Sequence, residues 1–372
     1  MLITAIVFSI ILSILVFVHE FGHYLVARWV GVQVEEFGFG LPPRIWGKKV
    51  GGTIYSVNWL PIGGFVKLAG EDEEESQKSK VKSQNIKKYF WARSKKERSA
   101  ILLAGVTMNF LLAVGITAYL LHQGILEPAG RVHIEKVMTA TPAQRAGFLP
   151  GDIVKYVEHA PSPASGTTSR AKITSSAAFM SYVNEEKGQE IIVHIVRSGK
   201  ELAISVIPRV NVPKGEGPLG VAISDLEPKI YPWNEAPIEA VKINLSRAWL
   251  MLTSLAGLVW GLIRLRPVPA DVAGPIGIAQ VTGQAVKYGL TAVLEFVSIL
   301  SLNLAVLNVL PFPALDGGRL VFVFLEKILG RKVRPVFERR THEIGMIILL
   351  VLILLISLHD ILRLTGGGLG GG

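Results

Sequence analysis

Residues 2–18 (LITAIVFSIILSILVFV) contain no charged side chain and run without a break into HEFGH at 19–23. Crossing ~30 Å of hydrocarbon takes ~20 residues of helix. Inside a bilayer each backbone polar group must be paired internally, which commits such a run to helix. A cleaved signal peptide would show a basic leading region and a small-residue cleavage site. No Lys or Arg precedes residue 28 and no A-x-A site follows, so a retained first helix over about residues 2–26 is expected. Ionisable groups are expensive at membrane depth and default to function. Three of them within five residues are hard to explain structurally.

The three have a defined chemistry. His19 and His23 stand four residues apart, so a helix puts both imidazoles on one face, where they can share a zinc ion. Glu20 is rotated by one residue and is expected to act as general base and proton shuttle. Bound zinc lowers the pKa of water towards ~7. A catalytic zinc usually takes three protein ligands and leaves one position open. The chain has no cysteine, so it has no disulfide, and any metal must be held by His, Asp or Glu.

Half of the residues are hydrophobic and 18% are charged, a low charged fraction for a soluble globule. Further apolar runs at 99–122, 289–312 and 344–362 bring the expected spans to four. The loop 27–98 alternates apolar and polar residues between glycines, as short strands do. Residues 125–210 carry strand-like alternation and read as a separate α+β domain, interrupted by a Ser/Pro/Ala-rich stretch near 160–170. A linker, 211–288, follows; its apolar part, 248–263, is short and flanked by Arg247, Arg264 and Arg266, and is expected to lie at the membrane interface. Residues 363–372 form a glycine-rich tail.

Lys and Arg orient these spans. The loop 27–98 and the segment 319–343 are both basic and should be cytoplasmic, which places 125–210 on the other side. The net charge of +10 crowds beside apolar segments, so anionic lipid, not nucleic acid, is the expected partner. This orientation also brings Asp316 to the depth of HEFGH, because the first span and the third, 289–318, both run inward. Asp316 is therefore the candidate third ligand. Pro311 and Pro313 should break the helix just before it, giving water a path and an extended substrate something to pair with. Asn303 and Asn308 on that helix, and Asn109 on the second span, fit interhelical hydrogen bonding and substrate contact equally. Gly105 fits a close helix approach.

Together these motifs resemble the bacterial site-2 proteases, the intramembrane zinc metalloproteases of peptidase family M50B. HEFGH is similar to the family's zinc motif, and LDG at 315–317 to its second motif. FGFG at 37–40 resembles the start of its membrane-associated β-hairpin loop. AGVTMN at 104–109 resembles its G-x-x-x-N motif, GPIGIAQ at 274–280 a segment before the third helix, and TPAQRAGFLPGD at 141–152 the core of a PDZ domain. The resemblance implies a polytopic α-helical membrane protein with four transmembrane helices, a membrane-associated β-hairpin loop and one extracytoplasmic PDZ (α+β) domain. It implies zinc on His19, His23 and Asp316, Glu20 as the catalytic residue, and Asn303 and Asn308 holding an unwound substrate. The implied location is the bacterial inner membrane. The implied partners are single-pass membrane proteins already trimmed outside, such as anti-sigma factors or remnant signal peptides. Only one PDZ domain fits here, and the insert near 160–170 departs from the compact PDZ pattern, which points to size filtering in place of peptide capture.

Overall fold

The computed structural model describes residues 2–71, 83–159, 170–213, 215–264, 274–331 and 333–365. Most of the acidic run after Glu71, the Ser/Pro/Ala-rich stretch at 160–169 and the tail from 366 lie outside these. The chain forms two units, one of Met1–Leu120 with Pro232–Gly372, the other of Leu121–Tyr231.

Helices of the first unit are α1 (Leu2–Trp29), α2 (Lys95–Gln123), α5 (Ala236–Ile263), α6 (Pro275–Tyr288), α7 (Leu290–Val309), α8 (Asp316–Leu329) and α9 (Pro335–Thr365). Four are long and apolar enough to cross a membrane: Ile3–Trp29, Lys95–Gln123, Leu290–Val309 and Val336–Leu362. They occupy the four segments expected to span. A seam of small polar residues joins two of them, α2 and α7, as is common where lipid offers no hydrophobic drive to association. Ser298 and Ser301 on α7 donate to the carbonyls of Ala113 and Asn109 on α2, at 3.1 and 2.8 Å.

Two segments differ from the sequence reading. α5 begins at Ala236, not near 248, and its first half packs into the bundle. Ala236, Ala240 and Asn244 are fully buried, and Asn244 donates to Thr117 on α2 at 3.0 Å. Their spacing of four is a helical face that the polar residues between them obscure. A helix also stands where a basic loop was expected over 319–343. The third span ends at Val309, residues 310–315 are not helical, and α8 starts afresh at Asp316. Arg319 and Lys327 sit on a helix that buries Phe322, Val323 and Glu326.

Glu326 is the unexpected member of that face. It accepts from Arg98 on α2 at 2.7 Å, with side chains only 5% and 9% exposed. Breaking a buried pair from one side strands a charge and costs about 3–5 kcal/mol, whereas replacing both partners with apolar residues is often neutral. Glu326→Leu should therefore lower the unfolding temperature sharply, and Arg98→Leu added to it should restore most of the loss. Equal melting of single and double variants in detergent would count against this pairing.

The hairpin β1 (Val34–Val50) and β2 (Thr53–Leu68) is antiparallel, and each long strand folds over so that residues are used twice. Phe37 pairs with both Tyr55 and Val66, and Phe39 with both Val57 and Gly64. The result is four lanes in the order 44–50, 53–60, 36–41, 64–68. The outer lane follows α1: Ser13 donates to the Pro61 carbonyl at 2.7 Å, and Gly63 faces Val16.

In the second unit β3 (Ile125–Val137), β4 (Ile153–His159), β6 (Ile191–Arg197), β7 (Lys200–Val206) and β8 (Val221–Lys229) form a sheet in the order β7-β6-β4-β3-β8. β5 (Arg170–Lys172) pairs with β4. Buried Ile191, Val193 and Ile195 alternate along β6, the period of a strand with one face covered. Helices α3 (Pro142–Ala146) and α4 (Ser176–Glu185) pack there, with Ala143 and Phe179 in the same core. The Thr141 hydroxyl caps α3 and Gly147, at φ 87°, ends it. β8 extends this unit past residue 210, the boundary expected from sequence. Its Asp, Glu, Pro and Lys give it the look of a linker.

Candidate metal centre

The second half of α1 presents His19 and His23 one turn apart, both nearly buried. Asp316 joins them from the first turn of α8. His19 Nε2 lies 3.0 Å from Asp316 Oδ2, His23 Nε2 lies 3.3 Å from the same oxygen, and the two Nε2 atoms are 3.2 Å apart. Zinc bonds of ~2.0–2.1 Å in a tetrahedral site put donor atoms ~3.3–3.4 Å apart. The triangle thus has the size that a zinc ion on three ligands needs. These residues form the one such group among those described, their ligand atoms all within 4.8 Å.

The donor chemistry fits as well. His23 Nδ1 is 2.7 Å from the Ile101 carbonyl, which can only accept, so Nδ1 carries the proton there. In the neutral ring Nε2 is then a bare lone pair, aimed at the other two ligand atoms. A metal-ligating histidine commonly has its far nitrogen held in this way. Glu20 is outside the triangle. Its Oε2 accepts from the Val66 N–H at 3.1 Å, on the outer lane of the hairpin.

Two close approaches make the arrangement possible. α2 crosses the imidazoles at Gly105, where a Cβ would stand 2.4 Å from His23 Nε2 and 2.6 Å from His19 Cε1. At the other ligand, a Cβ on Gly317 or Gly318 would meet the carbonyl of Leu310 at 2.1 Å or of Phe312 at 2.3 Å. The LDGG turn is thereby folded back on the end of α7. Ala314 takes the left-handed conformation at φ 80°, and its N–H donates to His342 Nδ1 on α9 at 2.9 Å. A cavity of about 1180 Å³ reaches Asp316, and Arg98, Arg319, Glu326, Arg339 and His342 are among its lining residues.

Residues 7–352 match the profile of peptidase family M50. The chain belongs to peptidase family M50. A Rickettsia conorii protein named as a zinc metalloprotease is 33% identical, over 96% of this chain and 98% of its own. The zinc metalloprotease RasP of Oceanobacillus iheyensis is 27% identical, over 97% of this chain and 99% of its own. The regulator of sigma-W protease RasP of Bacillus subtilis is 29% identical with the same coverage. The M50 peptidase described here is accordingly a multi-pass membrane metalloprotease of the site-2 type, and its cofactor is zinc.

Not every residue singled out from the sequence of this M50 peptidase stands at the triangle. His19, His23 and Asp316 converge, with Glu20 alongside. Asn303 and Asn308 are half-buried on α7, and neither makes a side-chain hydrogen bond among the described residues. Pro311 and Pro313 lie in the 310–315 break, where Pro313 packs against Gly345 on α9. Asn109 is fully buried, with Nδ2 3.4 Å from His19 Nδ1, so in this structure its side chain faces a metal-ligand candidate. Sequence reasoning missed His342, whose Nδ1 accepts from the Ala314 N–H, and Val66, whose backbone N–H leaves no trace in residue type.

Proposed function

We propose that this M50 peptidase cuts single-pass membrane proteins at their transmembrane segment, with zinc on His19, His23 and Asp316 and Glu20 as the base. The convergence of three ligand atoms from two apolar parts of the chain carries this reading. Zinc held there supplies a Lewis acid for the scissile carbonyl and acidifies water. Glu20 takes the proton of the attacking water and delivers it to the leaving amide nitrogen. Its hydrogen bond from Val66 keeps the carboxylate in line with the hairpin edge.

The outer lane, 64–68, supports a mode of substrate capture. An extended peptide can add to an exposed sheet edge through main-chain hydrogen bonds. The Val66 N–H donates to Glu20 on that lane, so a peptide laid alongside it would pass the base. Asn303 and Asn308, without side-chain hydrogen bonds among the described residues, are candidates to hold the unwound strand. The break at 310–315, with the cavity at Asp316, gives water its route.

The sheet, the two helices and the TPAQRAGFLPGD segment of the unit Leu121–Tyr231 support reading it as a PDZ domain. In our reading it sits outside the inner membrane and admits only substrates already trimmed there, while the basic loops face anionic lipid. The relative named regulator of sigma-W protease favours anti-sigma factors as one substrate class; remnant signal peptides are another.

The test uses the full-length protein in liposomes with a single-pass substrate lacking most of its outer domain. Cleavage inside the membrane segment is expected, halted by a zinc chelator and recovered with added zinc. If the membrane substrate stays intact while an unfolded soluble polypeptide is cut, the enzyme is a tethered protease of another kind.

A further inference from the structure

Asn109 is buried against His19, yet one of its polar atoms has no partner among the described residues. The residue is fully buried on α2, one turn after Gly105. Its backbone is pinned, since the Ser301 hydroxyl donates to its carbonyl at 2.8 Å. Its side-chain Nδ2 faces His19 Nδ1 at 3.4 Å, while Oδ1 is buried and unbonded. In that orientation the amide donates to Nδ1, so a neutral His19 carries its proton on Nε2, the atom that faces His23 and Asp316. That ring cannot offer Nε2 to a metal.

Amide oxygen and nitrogen are assigned from hydrogen bonding, not seen directly. Turning the amide over leaves one of its atoms unpaired, as before, and places the oxygen against His19 Nδ1. The ring then donates Nδ1–H, and Nε2 becomes a lone pair. His23 already has this pattern through the Ile101 carbonyl. We propose that Asn109 is the positioning residue for His19, its amide oxygen accepting the Nδ1–H so that Nε2 is presented to the metal. Each imidazole then has one acceptor behind it: Ile101 for His23, Asn109 for His19, both supplied by α2. This rests on the ligand set proposed above.

Zinc affinity of the full-length protein, by competition with a chelator of known zinc affinity, tests it. Asn109→Asp keeps an acceptor and loses the donor; Asn109→Leu keeps the bulk and loses both. We expect Asn109→Asp to hold zinc as the parent does and Asn109→Leu to hold it about 10–100-fold more weakly, the usual loss when such a partner is removed. Melting of the metal-stripped proteins separates this from misfolding: the two variants and the parent should unfold alike. A second measurement needs no variant. In zinc-loaded protein with ¹⁵N-labelled histidine, His19 should carry its proton on Nδ1. Unchanged affinity in Asn109→Leu, loss in Asn109→Asp equal to that in Asn109→Leu, or a proton on Nε2 would each overturn the assignment. His19→Ala distinguishes failure of the ligand set itself: if that variant keeps full zinc affinity, His19 is no ligand and the reading beneath falls first.

Discussion

Replacing Gly105 with alanine should leave the purified protein short of zinc and reduce peptide cleavage by about 100-fold or more. A single added Cβ would stand 2.4 Å from His23 Nε2, 2.6 Å from His19 Cε1 and 2.8 Å from His19 Nδ1. No real Cβ tolerates such distances, so the rings or α2 must move. The rings are held from behind, at Ile101 for His23, and the near side is the donor triangle. A displacement of even 1 Å at a reacting centre can cost on the order of 100-fold in rate. Gly115 on the same helix is the control, because a Cβ there meets nothing within 4 Å. Gly115→Ala should match the parent in zinc content, measured by elemental analysis, and in turnover. If Gly105→Ala matches it too, α2 does not form the wall of this site.

Glu20→Gln should behave in the opposite manner, keeping its zinc and losing turnover. The Gln side chain can still accept from the Val66 N–H, so the contact between α1 and the hairpin survives. What disappears is the capacity to hold a proton between the attacking water and the leaving nitrogen. General base catalysis of this kind contributes about 10²–10⁴-fold, which is the expected fall in kcat at unchanged zinc content. Asp316→Asn, by comparison, should lose metal and activity together. Retention of full activity by Glu20→Gln would sink the catalytic assignment.

The contrast between these two positions shows what a sequence makes legible. Glu20, His19 and His23 are neighbours in the chain, and their helical spacing can be read directly. Asp316 is distant, but charge counting gave its depth and the prolines gave its turn. Gly105 is different: its residue type announces a close approach without naming what approaches. The role of Asn109 is hidden for the same reason, since its partner is 90 positions away. Hydropathy found the four apolar spans but misjudged two amphipathic helices. α8 buries Phe322, Val323 and Glu326 among basic residues, and α5 hides Asn244 among apolar turns. β8 was lost because its polar residues outvote its alternation. In each case the deciding information lies in a neighbour, not in the segment.

The donor triangle is drawn from two distant parts of the chain, with His19 and Asp316 separated by 297 positions. During synthesis α1 leaves the ribosome well before α8. At ~5–20 residues per second, roughly 15–60 s pass before the carboxylate can join the imidazoles. A truncated or half-inserted chain therefore carries HEFGH but no closed triangle. On the proposed ligand set, proteolytic competence arrives only once α8 is made, so the membrane is spared an unfinished protease.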